Sequence, residues 1–266
     1  MKFHCWHKHG HGAVDLLDAI AQSCDVFFYE IALKTGINNI AKISREFGLG
    51  LPTGINLPGE KSGLIPDRKW KLDVKKQVWR PGETIIAGIG QGYVLATPIQ
   101  LALMTARIAN GGKKIKPTLL KSPILQASNA NSVKVSEENL NIIKRAMEKV
   151  SLDEFGTGRN FRLGIKGVEM AGKTGTVQVR RISTKERESE EGVIKNEDRI
   201  WEWRDHALYV GYAPMDKPRY AISVIVEHGG SGSSKAGPIA RDIMEATLTD
   251  DPTRFIPKNP IKKPLI

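Results

Sequence analysis

Gly172-Lys173-Thr174-Gly175-Thr176-Val177, preceded by Met170-Ala171 and followed by Gln178-Val179, is the stretch from which the fold can be read. Threonine and valine at short spacing predict a strand, and the glycines predict one against which another backbone can lie close. Lys173 and the hydroxyls of Thr174 and Thr176 offer a cation and hydrogen-bond donors suited to a carboxylate. Strict alternation cannot aim Lys173 and Thr176 to one side, so local twist is expected to help. Further strand-like runs at 169–171, 174–180, 207–212 and 220–226, with a helix over 236–248, predict an antiparallel sheet backed by a terminal helix.

Upstream the pattern is helical. Apolar residues recur at spacings of three and four over 14–22 and 26–35, interrupted only by Ser23-Cys24-Asp25, so this triplet is expected to join two helices and project from their junction. A short helix is expected over 40–47. Residues 51–92 are rich in glycine and proline and read as loop with little regular structure. Thr97-Pro98 is an N-cap followed by proline at the first helical position, opening a buried apolar helix over 99–109. Ser136, with Glu138 nearby, opens an amphipathic helix running to about 150. Residues 180–204 are too charged for core and read as a long hairpin connection or a mobile flap. The expected fold is α/β of the α+β kind. One domain covers 1–250, with 1–135 a mostly helical lobe and 136–250 mostly sheet and flanking helices. Residues 251–266 form a basic, proline-rich tail.

Composition narrows the function classes. A chain of 266 residues, 40% hydrophobic, buries one sizeable core. The net charge of +11 comes from scattered lysines and the tail, and suits anionic lipid or wall polymer as well as solubility. No interleaved aromatic and basic platform or zinc knuckle is present, so nucleic acid is not an expected partner. No run of about 18 apolar residues occurs, so neither a membrane span nor a signal peptide is expected within the chain; any export signal would lie upstream of Met1.

Several stretches, in order, carry a family resemblance. They are Gly10-His11-Gly12, Ser23-Cys24-Asp25-Val26-Phe27-Phe28-Tyr29, Phe47-Gly48, Thr53-Gly54-Ile55, Gly88-Ile89-Gly90-Gln91-Gly92-Tyr93, Ala96-Thr97-Pro98-Ile99-Gln100, Lys173-Thr174-Gly175-Thr176, and Asp205-His206-Ala207 through Gly211-Tyr212-Ala213-Pro214. Together they resemble the C-terminal portion of the transpeptidase domain of class B penicillin-binding proteins, within these the penicillin-binding protein 2 branch. The resemblance implies a penicillin-binding, serine β-lactamase-like fold, incomplete at its N-terminus. It also implies D,D-transpeptidation of peptidoglycan through an acyl-serine, with no cofactor for catalysis. D-Ala-D-Ala stem peptides and β-lactams would be its ligands. Membrane proteins of the elongation machinery would be partners of the full-length parent, at the periplasmic face of the inner membrane.

Residue by residue, the resemblance makes Ser23 a proton relay, with Asp25 where Asn is commoner, and Lys173 its electrostatic partner. It makes the Thr176 N–H an oxyanion donor, and Thr174, Gly175 and Thr176 the substrate-binding strand. An ordinary helix-turn with an N-cap is the plainer reading of Ser23-Cys24-Asp25. No Ser-x-x-Lys occurs in the sequence, so the nucleophile and general base are missing, and these residues alone are expected to be inactive. Two other readings share the motifs: a β-lactam sensor or β-lactamase relative, and a non-catalytic module binding wall peptide or protein partners.

Both cysteines and four of the six histidines fall early in the chain, within 4–24. Cys5, His11 and Cys24 suit three tetrahedral ligands of a structural zinc, with a fourth from His4, His7, His9 or an upstream residue. Relatives with a metal beside the corresponding turn match at these positions. A Cys5–Cys24 disulfide is the second reading, and a small buried Cys24 beside solvated histidines the third. His206 reads as a hydrogen-bonded structural histidine. Ser231, Ser233 and Ser234 read as a flexible turn by the groove, and Trp79 and Gln91 as shaping its floor.

Overall fold

The computed structural model describes residues 3–119, 131–180, 182, 186, 189 and 192–250. The tail reading of 251–266, and much of the flap reading over 181–191, lie outside the described residues. The chain divides into two compact units, Met1–Lys149 and Val150–Ile266.

The first unit is helical. Helix α1 spans Leu16–Ala21, capped by Asp15, whose carboxylate accepts from the Asp18 N–H at 2.8 Å. Helix α2 spans Asp25–Thr35 and stops at Gly36, whose φ of 75° a side-chain-bearing residue rarely adopts. Helix α3 covers Ile37–Glu46, three residues earlier at its start than the periodicity predicts. The expectation of little regular structure over 51–92 is overturned by α4, Arg68–Lys75, and α5, Pro81–Gly88. Both carry start signals that the density of glycine and proline obscured. Asp67 caps α4 by accepting from the Trp70 N–H at 2.7 Å, and Pro81 opens α5 while Glu83 accepts from the Arg80 N–H at 2.7 Å.

Helix α6, Pro98–Ala109, has the predicted Thr97 cap with a reciprocal Gln100. Gln100 is fully buried, and its amide donates to the carbonyls of Leu51 at 2.7 Å and Ser62 at 2.8 Å, holding the glycine-rich loop on the helix. Helix α7 is Glu137–Leu152. Trp79 belongs to the core of this unit with Ile37 and Ala87, and its indole donates to the Thr84 hydroxyl at 2.8 Å. It is a packing residue, and the groove-floor reading is corrected for it.

The second unit is a three-stranded antiparallel sheet, order β1-β2-β3, with β1 Ala171–Val177, β2 His206–Ala213 and β3 Tyr220–Val226. Lys173 lies opposite Val210, Thr176 opposite Ala207 and Val177 opposite His206. Helix α8, Gly237–Asp250, contributes Ala240, Met244 and Leu248 to a core with Phe161, Met170, Ala207 and Tyr209. The 180–204 segment is only partly the solvated connection expected. Arg199 and Asp205 form a buried ion pair at 3.2 Å, tolerable because Asn196 bonds both partners.

Candidate active site

Strand β1 pairs with β2 alone among the described residues, so one margin of Lys173-Thr174-Gly175-Thr176 has no neighbouring strand. The strand's burial decides what it presents: Ala171 and Gly172 are buried, Lys173 to Gly175 half-buried and Thr176 exposed. The Lys173 ammonium donates to the Thr174 carbonyl at 2.9 Å, and the Thr174 hydroxyl donates to that of Thr157 at 2.8 Å. The Thr176 hydroxyl accepts from the Gly232 N–H at 3.4 Å.

Two glycines are fixed by what lies beneath and above the strand. A Cβ on Gly172 would overlap the Tyr209 phenol, which burial drives towards its neutral form by raising its pKa. A Cβ on Gly232 would collide with the backbone oxygens of Gly175 and Leu208. The Ser231 to Ser234 segment is therefore clamped across β1 and β2, in a π-helical turn over Gly232–Ala236, and is not the loose turn expected. Thr157, Tyr209 and Gly232 were missed in the sequence. Gly156-Thr157-Gly158, a second threonine set between glycines, was the available signal for one of them.

In the first unit, Ser23 sits in the left-handed region, φ 56°. For serine this conformation is uncommon and needs support. Trp6 supplies it: its indole N–H donates to the Ser23 carbonyl at 2.9 Å and lies 3.2 Å from that of Gln22, while its backbone N–H donates to the Asp25 carboxylate at 2.9 Å. The N-cap of α2 is Cys24, without a side-chain capping bond. Capping by Ser23 or Asp25 therefore does not explain the triplet.

Cys5, His11 and Cys24 come together, with their donor atoms all within 4.8 Å of one another and Cys5 Sγ 3.4 Å from His11 Nδ1. Both cysteines are free thiols, which corrects the disulfide reading. Burial pushes the His11 imidazole down, with His7 adding to it and Asp25 opposing. Burial pushes the Cys24 thiol up, against N–H donation from Phe27 and with a further upward push from Cys5. His206 is the hydrogen-bonded residue expected: its Nδ1 accepts from the His228 N–H at 2.9 Å.

Residues 1–245 match the model of the penicillin-binding protein transpeptidase domain, and the chain belongs to that family. Within it, the chain is 39% identical to the peptidoglycan D,D-transpeptidase MrdA of Acinetobacter baumannii, over 98% of this chain and 38% of the relative. It is 38% identical to that of Haemophilus influenzae, over 93% of this chain and 38% of the relative. Among solved structures, the complex of penicillin-binding protein PBP2 with MreC from Helicobacter pylori superposes with a TM-score of 0.80 at 36% identity, covering 93% of this chain and 42% of that one. Pseudomonas aeruginosa PBP2 in complex with WCK 5153 gives a TM-score of 0.80 at 37% identity, covering 96% and 52%. These neighbours share the penicillin-binding transpeptidase fold, α+β with an antiparallel sheet. The chain spans about two-fifths of the length of these curated relatives.

Proposed function

We propose that this chain supplies the substrate-binding strand and proton relay of a peptidoglycan D,D-transpeptidase of the penicillin-binding protein 2 type. The observation that carries the reading is the outer strand β1, which bears Lys173-Thr174-Gly175-Thr176 at a margin without a neighbouring strand among the described residues. A stem peptide ending in D-Ala-D-Ala lies along that margin, its carboxylate held by Lys173 and the threonine hydroxyls. A serine oxygen attacks the penultimate D-Ala carbonyl as its proton passes to the lysine of the parent's Ser-x-x-Lys and on to Ser23, and the oxyanion that forms is stabilised by the Thr176 N–H. The C–N bond then breaks, and Ser23 passes a proton to the departing D-Ala amine. An amine from a neighbouring stem peptide attacks the acyl-serine, forms the new amide and returns the serine. The balance needs no cofactor. β-Lactams enter as acylating mimics.

The nucleophile belongs to a Ser-x-x-Lys that the 266 residues do not contain, so the isolated chain neither acylates nor turns over. In the full-length parent the reaction takes place at the periplasmic face of the inner membrane, with elongation-machinery membrane proteins as partners. The solved complex of a relative, a PBP2, with MreC supports a protein partner for the parent. Labelling with a fluorescent penicillin tests it. The 266-residue chain is expected to stay dark, while a parent carrying Ser-x-x-Lys labels and loses the label when Lys173 becomes Ala. Covalent labelling of the isolated chain, or a K173A parent that labels normally, overturns the reading.

Cys5, His11 and Cys24 fit three ligands of a structural zinc, being soft thiolate and imidazole donors within tetrahedral reach. The buried Nε2 of His11 is left without a hydrogen-bond partner among the described residues. Such an ion would tie the N-terminal segment to the Ser23 turn. Metal analysis of protein without a histidine tag is expected to find one zinc per chain, lost in Cys24→Ala. No stoichiometric zinc, or zinc unchanged by that substitution, removes it.

A further inference from the structure

Ser23 occupies the place after α1 where helices commonly carry glycine. The Cys24 N–H donates to the Ala19 carbonyl at 2.8 Å and the Ser23 N–H to the Ile20 carbonyl at 3.2 Å, the paired closing bonds of a helix that ends on a left-handed residue. Ser23 is that residue, with φ 56°. Glycine takes this conformation freely, and a residue with a Cβ does not. Folding stability alone would favour glycine here; a hydroxyl is what a proton relay needs.

Residues 3–11 lie across this turn as a strap. At one end the Tyr29 hydroxyl donates to the His4 carbonyl at 3.1 Å, and the Phe3 and Tyr29 ring centroids are 5.5 Å apart, which fixes the strap to α2. At the other, Cys5 and His11 meet Cys24. Trp6 stands between them and reaches the turn through two N–H groups, the indole on the carbonyls of Ser23 and Gln22 and the backbone on the Asp25 carboxylate. Those two carbonyls stand at and beyond the C-terminus of α1, where the helix itself supplies no donor. The Trp6 side chain is 58% exposed, tilted at 60° to His11 and edge-on at 76° to His7. Its place therefore owes little to core burial and much to its two N–H groups.

We infer that Trp6 is a positioning residue for the proton relay: its indole N–H, donated to the Ser23 carbonyl, holds Ser23 left-handed and so aims the hydroxyl. The inference rests on the reading that Ser23 is the relay of an acyl-serine transferase. In that reaction Ser23 Oγ gives its proton to the departing nitrogen and takes the one that the parent's lysine removed from the attacking serine, so the hydroxyl is regenerated. A Ser23 that returned to an ordinary helical or extended φ would turn by roughly 100° or more about its N–Cα bond and carry Oγ out of the line of transfer. Ligand binding is separate, since the carboxylate is held by Lys173 and the threonine hydroxyls of β1. Loss of the indole N–H therefore slows acylation and leaves the binding that precedes it unchanged.

Two replacements test this: W6F, and 3-benzothienylalanine at position 6, which keeps the shape of the indole and puts sulfur in place of its N–H. In the parent carrying Ser-x-x-Lys, acylation by a fluorescent penicillin is resolved into the dissociation constant of the encounter complex and the acylation rate constant. Both replacements are expected to lower the rate constant about three- to tenfold, roughly the population shift that one hydrogen bond sustains, at an unchanged dissociation constant. In the 266-residue chain the φ of Ser23 is read by NMR from its Cα and Cβ shifts and one-bond Cα–Hα coupling. Part of the population is expected to leave the left-handed region in both. Should W6F not fold, the benzothienyl replacement carries the test. An unchanged rate constant, a loss found equally in the dissociation constant, or a Ser23 φ that does not move overturns the assignment. A wild-type parent that does not acylate, or a K173A parent that acylates normally, removes the transpeptidase reading instead; the φ of Ser23 then decides by itself whether Trp6 holds the turn.

Discussion

The sheet unit gathers its large buried side chains around one sheet face, while the helical unit spreads its own among small residues. The sheet unit closes over Phe161, Met170, Tyr209, Met244 and Leu248. The helical unit buries small residues such as Ala19, Ala21, Ala32 and Ala41 together with scattered large ones, Ile37, Ile65, Trp79, Leu103, Leu140 and Met147. Its large apolar side chains are often outside, with Leu33 at 48%, Leu72 at 56% and Val78 at 70% exposure. Burial stabilises in proportion to apolar area removed from water, about 25 cal/mol per Å². The sheet unit closes its large side chains into one cluster, and the helical unit adds to its buried residues polar ties such as Gln100, the Asp67 cap and the Lys71–Glu83 pair.

That contrast can be broken most directly at Met244, which is 2% exposed. Met244→Ala leaves a cavity under the sheet and is expected to cost about 2–5 kcal/mol, read by denaturant unfolding of the sheet signal. A cost below about 1 kcal/mol would mean that the core is not close-packed.

Next comes Glu83, whose partner Lys71 is almost wholly buried. Glu83→Gln strands a buried ammonium and is expected to fall towards the lower end of the ~3–5 kcal/mol range for a broken buried pair, since Glu83 itself is partly exposed. Burial opposes ionisation of Glu83, but the Lys71 hydrogen bond, the Arg80 N–H and the charges of both residues together outweigh it, and its pKa is lowered from 4.5. A carboxylate with a depressed folded pKa stabilises above its unfolded pKa and loses that contribution as pH falls through the folded value. The gap between wild type and E83Q should therefore be full at neutral pH and narrow below about pH 4.5. A gap independent of pH would mean that the pair is not the cause.

The smallest effect is expected at Leu33. Leu33→Ala in the isolated chain should change stability by less than about 0.5 kcal/mol, measured by the same unfolding. A loss comparable to that at Met244 would show that the helical unit has a core as demanding as that of the sheet unit.

Much of this was legible in the residues. The 220–226 strand agrees at both ends, and Thr97-Pro98 marked the start of α6, because both signals are local: alternation in one, cap chemistry in the other. The two helices within 51–92 were hidden because turn residues dominate composition there, although Asp67 and Pro81 were sound start signals. The Cys5, His11 and Cys24 grouping was read from residue type and proximity along the chain, which is enough when the segment is short.

Other features depend on long-range neighbours. A serine does not announce that it will be left-handed, because Ser23 is held there by Trp6 from another segment. Gly172 and Gly232 look like any strand or turn glycine until Tyr209 and the Gly175 backbone occupy the space where a Cβ would stand. The sequence by itself determined most of the secondary elements, the family and the residue types set along the Lys173–Thr176 strand, since periodicity and residue type act over a few positions. Only the tertiary structure decided which glycines are obligatory and which charges are buried and paired, because those follow from packing between residues distant in the chain.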